Sequence, residues 1–154
     1  MKIYSLTIRE EHLAQLKNHL LRDDGCEHAA YLLCSKALIR HDPWDRCAHT
    51  KYLVSKVIPV PDDQIVDSRP DMVTWRTASF VRLLKEAAAN DQIMAIVHNH
   101  PAGMPWFSSQ DDANEPDLVQ LAVNRNGAGT NLISLILAGD EQLAGRVWLH
   151  PKAR

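Results

Sequence analysis

Residues 92–112 read QIMAIVHNHPAGMPWFSSQDD, and the fold is decided there. Residues 92–98 form a short apolar run ahead of a turn, the pattern of a central strand. Side chains two apart on a strand share a face, so His98 and His100 are expected to project together where the strand leaves its sheet. Pro101 cannot donate to a ladder and stops the pairing. A loop over 101–112 can bring back a third donor, Asp111, a hard oxygen ligand. Two imidazoles and one carboxylate suit zinc with a fourth position open to water, and zinc lowers the pKa of such a water to about 7. The chemistry also needs a proton acceptor and a group that stabilises a developing oxyanion. Ser108, one helical turn before Asp111, is placed for the second role. Glu27 is the candidate for the first, because it opens an apolar strand where an unpaired charge is costly.

Outward from this segment the chain alternates strands and helices. Residues 2–7 alternate as a short strand, and residues 10–22 carry Leu13, Leu16, Leu20 and Leu21 at helical spacing until Asp23-Asp24-Gly25 breaks the pattern. Residues 26–34 read as a buried strand with Cys26 and Cys34 at its ends, 40–50 as a loop, and 51–60 as a strand around Tyr52, Val54, Val57 and Val60. Residues 61–71, PDDQIVDSRPD, read as a loop with two prolines. A second helix is expected over 76–89, with Phe80, Leu83, Leu84 and Ala87 on one face. Pro116 suits the first turn of a third helix, which Asn126-Gly127-Ala128-Gly129 ends. Residues 131–138 and 142–149 are two strands joined at Gly139-Asp140, a hairpin signal. The sum is a mixed α/β layered fold, with a central mixed sheet of about six strands and three helices in one domain over residues 1–154.

Composition narrows the functional classes. The chain has 154 residues, 45% hydrophobic and 23% charged, which suits one globular domain. Its net charge of −2, without a long basic run, gives no electrostatic footprint for nucleic acid. The three cysteines, Cys26, Cys34 and Cys47, form no CxxC pair and read as free thiols of a reducing compartment. The N-terminal residues hold no apolar signal core, and no run of 18 apolar residues occurs, so neither secretion nor a membrane span is expected; the expected location is the cytoplasm.

The pattern His98-x-His100-Pro101-x(6)-Ser108-x-x-Asp111, with an upstream strand glutamate in Glu27-His28-Ala29-Ala30-Tyr31-Leu32-Leu33-Cys34, resembles the JAMM (MPN+/JAB) zinc metalloproteases, in particular their prokaryotic, deubiquitinase-like members. The element order resembles that MPN/JAB fold, a cytidine-deaminase-like arrangement, over nearly the whole chain. The resemblance implies one zinc ion per chain, held by His98, His100 and Asp111. It implies that Glu27 moves a proton from water to the leaving amine and that Ser108 stabilises the tetrahedral intermediate. The reaction it implies is hydrolysis of the amide bond after the C-terminal glycine of a ubiquitin-like protein or its conjugate. The tail would lie extended beside an exposed strand. A ubiquitin-activating-like enzyme is an implied further partner.

Rival readings are specific. The HNHPxGxP stretch also resembles the RadC group of DNA-repair-associated proteins, although the helix-hairpin-helix segment of that group has no counterpart here. A non-catalytic MPN scaffold would usually lack some of the ligands, whereas all are present. Ser109-x-x-Asp112 repeats the spacing of Ser108-x-x-Asp111 one residue on, leaving Asp112 as a solvated or capping residue. Ser108 also suits a helix N-cap. Glu10 and Glu11 fit the first turn of a helix. His28 should point away from Glu27, Trp106 and Phe107 should pack their loop onto the core, and His41, His49 and Cys47 match no zinc spacing.

Overall fold

The computed structural model describes residues 2–152. Eight strands and three α-helices follow in the order β1 (Lys2–Thr7), α1 (Glu10–Leu20), β2 (Ala29–Ile39), β3 (Ala48–Pro59), β4 (Ile65–Arg69), β5 (Met72–Trp75), α2 (Ala78–Ala89), β6 (Ile93–His100), α3 (Ser109–Asn126), β7 (Leu132–Ala138) and β8 (Leu143–Trp148). Six strands form one mixed sheet in the order β1-β3-β2-β6-β7-β8. Two joins are parallel, β1 with β3 and β6 with β7; the others are antiparallel. The parallel β6–β7 pair requires a crossover, which α3 supplies.

The period of two along the central strands sorts their side chains into two cores. Tyr31 and Leu33 of β2 and Met94 and Ile96 of β6 pack with Phe80, Leu84 and Ala87 of α2 and Val119 and Ala122 of α3. Ala30, Leu32 and Cys34 of β2 and Ala95 and Val97 of β6 pack with Leu16 and Leu20 of α1. Strands covered on both faces read as continuous apolar runs, and this is why 92–98 and Ala29–Cys34 stand out in the sequence. The alternation sends His98 and His100 to the face covered by α2 and α3, and Asn99 to the other. β1 and β8 are the sheet edges, with an apolar groove between them lined by Tyr4, Leu6, Ile133, Leu135 and Val147.

Several element readings are corrected. The third helix begins at Ser109, not at Pro116, which lies inside it. Ser108 and Asp111 form a capping box that starts the helix two turns earlier than the proline suggests. The segment 61–71 is not a plain loop: after a short 3-10 turn (Asp62–Gln64) it enters a separate hairpin of β4 and β5, turning at Pro70-Asp71. β2 begins at Ala29 and runs to Ile39, so Glu27 precedes the strand and Cys34 lies buried within it. Trp106 is 60% exposed and does not pack onto the core. Among the described residues no helix is long and apolar enough to cross a membrane.

Candidate metal centre

β6 delivers the first two groups. His98 and His100 are 6% and 4% exposed, and their Nε2 atoms lie 3.0 Å apart. The Nδ1 of His100 donates to the carbonyl of Met104 at 3.0 Å, which leaves its Nε2 lone pair facing the centre. α3 delivers the third group from its first turn. Asp111 Oδ1 is 3.3 Å from His98 Nε2, and its Oδ2 is 3.8 Å from His100 Nε2. The carboxylate is held by Ser108, whose backbone N–H donates to Oδ2 at 2.7 Å and whose hydroxyl donates to it at 2.9 Å. Asp111 N–H donates back to the Ser108 hydroxyl at 3.1 Å, so Ser108 is the helix N-cap.

Glu27 joins from the segment before β2, with Oε1 at 3.9 Å from His100 Nε2. Ligand atoms of Glu27, His98 and His100 lie within 4.8 Å of one another, so Glu27 also belongs to the cluster, at a slightly longer distance than Asp111. Its main chain is tied to β4: Glu27 N–H donates to Arg69 O at 2.7 Å, and the Ser68 hydroxyl donates to Glu27 O at 2.7 Å. The five sequence-chosen residues, Glu27, His98, His100, Ser108 and Asp111, therefore meet at one place, although they come from three separate segments. Asp112 stands apart from them and pairs with Arg146 at 2.6 Å. His28 turns away to the Asp24 carboxylate, at 2.9 Å. Asp42, Asp45 and His49 also come close together, but His49 Nε2 bonds Asp45 at 2.7 Å and Asp42 accepts from Trp44 N–H at 2.9 Å, so the loop closes on itself.

The electrostatics of the centre favour a cation. Burial raises the Glu27 carboxyl to about 7, against the lowering effect of His98, with the Asp111 and Asp71 carboxylates adding to the rise. Burial also opposes ionisation of Asp111, but the hydrogen bond and charge of His98 and the Ser108 donors hold that carboxyl well below its ordinary value. For His98, burial disfavours the charged form, yet the Asp111 and Glu27 carboxylates outweigh it and raise its pKa. A proton on His98 thus takes the place that a cation would fill between facing carboxylates. Two imidazoles and a carboxylate are the donor set of a hydrolytic zinc site, so the residues fit that ion.

Around the centre lies a narrow cleft of about 60 Å³, lined by Val73 and Trp75 of β5 and by Ser108, Gln110, Asn114 and Leu118 at α3. Val73 lines this cleft together with Glu27, so β5 borders the site.

Behind α3 lies a network that sequence reading missed. Glu115, 4% exposed, accepts from the Ser134 hydroxyl at 2.6 Å, from Trp148 Nε1 at 2.6 Å and from Arg146 Nε at 2.9 Å. Arg146 also lies 3.8 Å over the Phe107 ring. The network ties α3 and the 101–108 loop to β7 and β8. Glu115 stands four residues after Asp111 and four before Val119, on one inward helix face. That spacing was the available signal, and placing the helix start at Pro116 hid it.

The chain belongs to a family described as prokaryotic homologs of the JAB domain, whose profile matches residues 9–150. The fold is the mixed α/β architecture expected from that resemblance. Among curated proteins, no match was found. Family membership and the gathered donor set together support a metal-dependent hydrolase role.

Proposed function

We propose that this protein is a zinc-dependent peptidase that hydrolyses the amide bond after the C-terminal glycine of a ubiquitin-like protein, as deconjugation or as precursor trimming. The observation that carries this reading is the convergence of His98, His100, Asp111 and Glu27 beside a cleft bordered by β5. His98, His100 and Asp111 would hold the zinc, which supplies a water acidic enough to react near neutral pH.

Glu27 takes a proton from the attacking water and gives it to the leaving amine as the carbonyl C–N bond breaks. In the metal-free protein burial raises this carboxyl to about 7, so its site holds a proton readily as well as taking one. The Ser108 hydroxyl, bonded to Asp111 in the free protein, would turn toward the oxyanion. The cleft is small, about 60 Å³, which favours a substrate ending in a residue with little side chain, such as glycine. β5 belongs to a two-stranded sheet beside the cleft, and its outer edge can pair with an extended tail.

The test compares wild type, His98→Ala and Glu27→Gln for bound zinc and for cleavage of a Gly-Gly-coumarin amide peptide. About one zinc per wild-type chain, little in His98→Ala, and zinc retained with turnover lowered roughly 100- to 10,000-fold in Glu27→Gln are expected. Zinc-free, well-folded wild type after zinc is supplied would overturn the metal site. Unchanged turnover in Glu27→Gln would overturn the role of Glu27.

A further inference from the structure

Strand pairing between β2 and β6 begins at Ala29 opposite His98, so residues 26–28 lie upstream of the ladder. They follow the turn at Gly25, whose φ is +66°, and carry Glu27 in a segment with no strand assignment of its own. Asn99 stands between the two site histidines and is 2% exposed. Its Oδ1 accepts from His28 N–H at 2.6 Å, and its Nδ2 donates to Cys26 O at 3.2 Å. Its backbone N–H donates to His28 O at 3.3 Å. A carboxamide has the donor and acceptor pair of a peptide group, so the side chain carries the pairing past the end of the ladder, one bond on each side of Glu27.

We propose that Asn99 is a positioning residue that fixes the Glu27 carboxylate relative to His98 and His100 by gripping the main chain on both sides of it. The value of this placement rests on the proton-transfer role of Glu27 proposed above. Residue type matters at this point. Aspartate keeps an acceptor for His28 N–H but offers no donor to Cys26 O, and threonine has a shorter reach with a single hydroxyl. The other side of Glu27 is secured by Arg69 O and the Ser68 hydroxyl, so the segment stays attached when Asn99 is changed, but loses one side of its clamp. A displacement on the order of 1 Å is enough to cost about 100-fold in turnover.

The experiment uses Asn99→Asp and Asn99→Thr, each alone and in a Glu27→Gln background, in zinc-loaded protein. It reads zinc per chain, hydrogen exchange at the His28 amide, and kcat and KM on the Gly-Gly-coumarin peptide. Expected are wild-type zinc content, faster exchange at His28 by at least about 10-fold, a kcat loss of roughly 10- to 100-fold with KM little changed, and no further loss of kcat in the Glu27→Gln background. Wild-type protection at His28 would overturn the proposal. So would zinc lost together with protection, which would mean that Asn99 supports the histidines instead, or additive losses in the double variants. If wild type cleaves nothing, the proposed function fails, and the zinc and exchange measurements still decide whether Asn99 holds the Glu27 segment.

Discussion

Glu27 and Asp111 are carboxylates in the same centre whose environments move them in opposite directions. This difference suits the roles proposed for them, because a proton carrier must titrate near the working pH while a ligand must stay ionised. For Asp111→Asn, zinc affinity is expected to fall by more than about 10-fold, whereas Glu27→Gln retains zinc and loses roughly 100- to 10,000-fold in kcat. Zinc retained in Asp111→Asn but lost in Glu27→Gln would exchange the two roles. The same contrast gives a pH signature in metal-free protein. The folded-state carboxyl of Glu27 is raised from 4.5 to about 7, so its contribution to stability is full below 4.5 and is lost as pH rises through about 7. Thermal melts across that window should show wild type losing more stability than Glu27→Gln, and parallel curves would contradict the shift. The meeting of His98, His100 and Asp111 was legible because a strand-end His-x-His and a returning carboxylate form a spaced pattern of residue types with recognisable chemistry. Asn99 was not, because a buried amide bonding the main chain leaves no pattern in one sequence.

At the scale of elements, the first turn of α3 is where packing and chemistry meet. Ser108→Ala removes the N-cap and one anchor of the Asp111 carboxylate, so a stability loss of about 0.5–2 kcal/mol is expected together with weaker zinc binding. Denaturant unfolding of the metal-free protein separates the two effects. Glu115→Ala should cost more, about 3–5 kcal/mol, because it takes the shared acceptor from the Ser134 hydroxyl, Trp148 Nε1 and Arg146 Nε at once and leaves Arg146 paired with Asp112. A loss under 1 kcal/mol would show that the network holds no more than a surface pair does. Helices and central strands were legible where one period ran for several turns or pleats. The β4–β5 hairpin was not, since its strands have five and four residues and Pro70-Asp71 between them reads as loop chemistry. Pro116 misled for a physical reason: a proline signals a first turn only if no stronger start precedes it, and the Ser108–Asp111 capping box does.

For the molecule as a whole, the metal centre joins segments distant in sequence: the stretch before β2, the end of β6 and the start of α3. A ligand that binds only the folded arrangement stabilises all of it. Zinc at about 100 times its dissociation constant should add about 2.7 kcal/mol, and stripping the metal with a chelator should lower the melting temperature accordingly. His98→Ala should abolish that response to zinc. The overall architecture was legible because the doubly covered strands β2 and β6 announce a sheet with helices on both faces. The β4–β5 hairpin lies outside that sheet and meets Glu27 through the carbonyl of Arg69 and the hydroxyl of Ser68. Residues 65–75 are therefore a wall of the cleft rather than part of the sheet, held to the core by Ile65, Val73 and Trp75. A hairpin of different outer sequence grafted there, with Ile65, Val73 and Trp75 kept together with a hydroxyl at position 68 and a free carbonyl at position 69, is expected to change which tails the cleft admits.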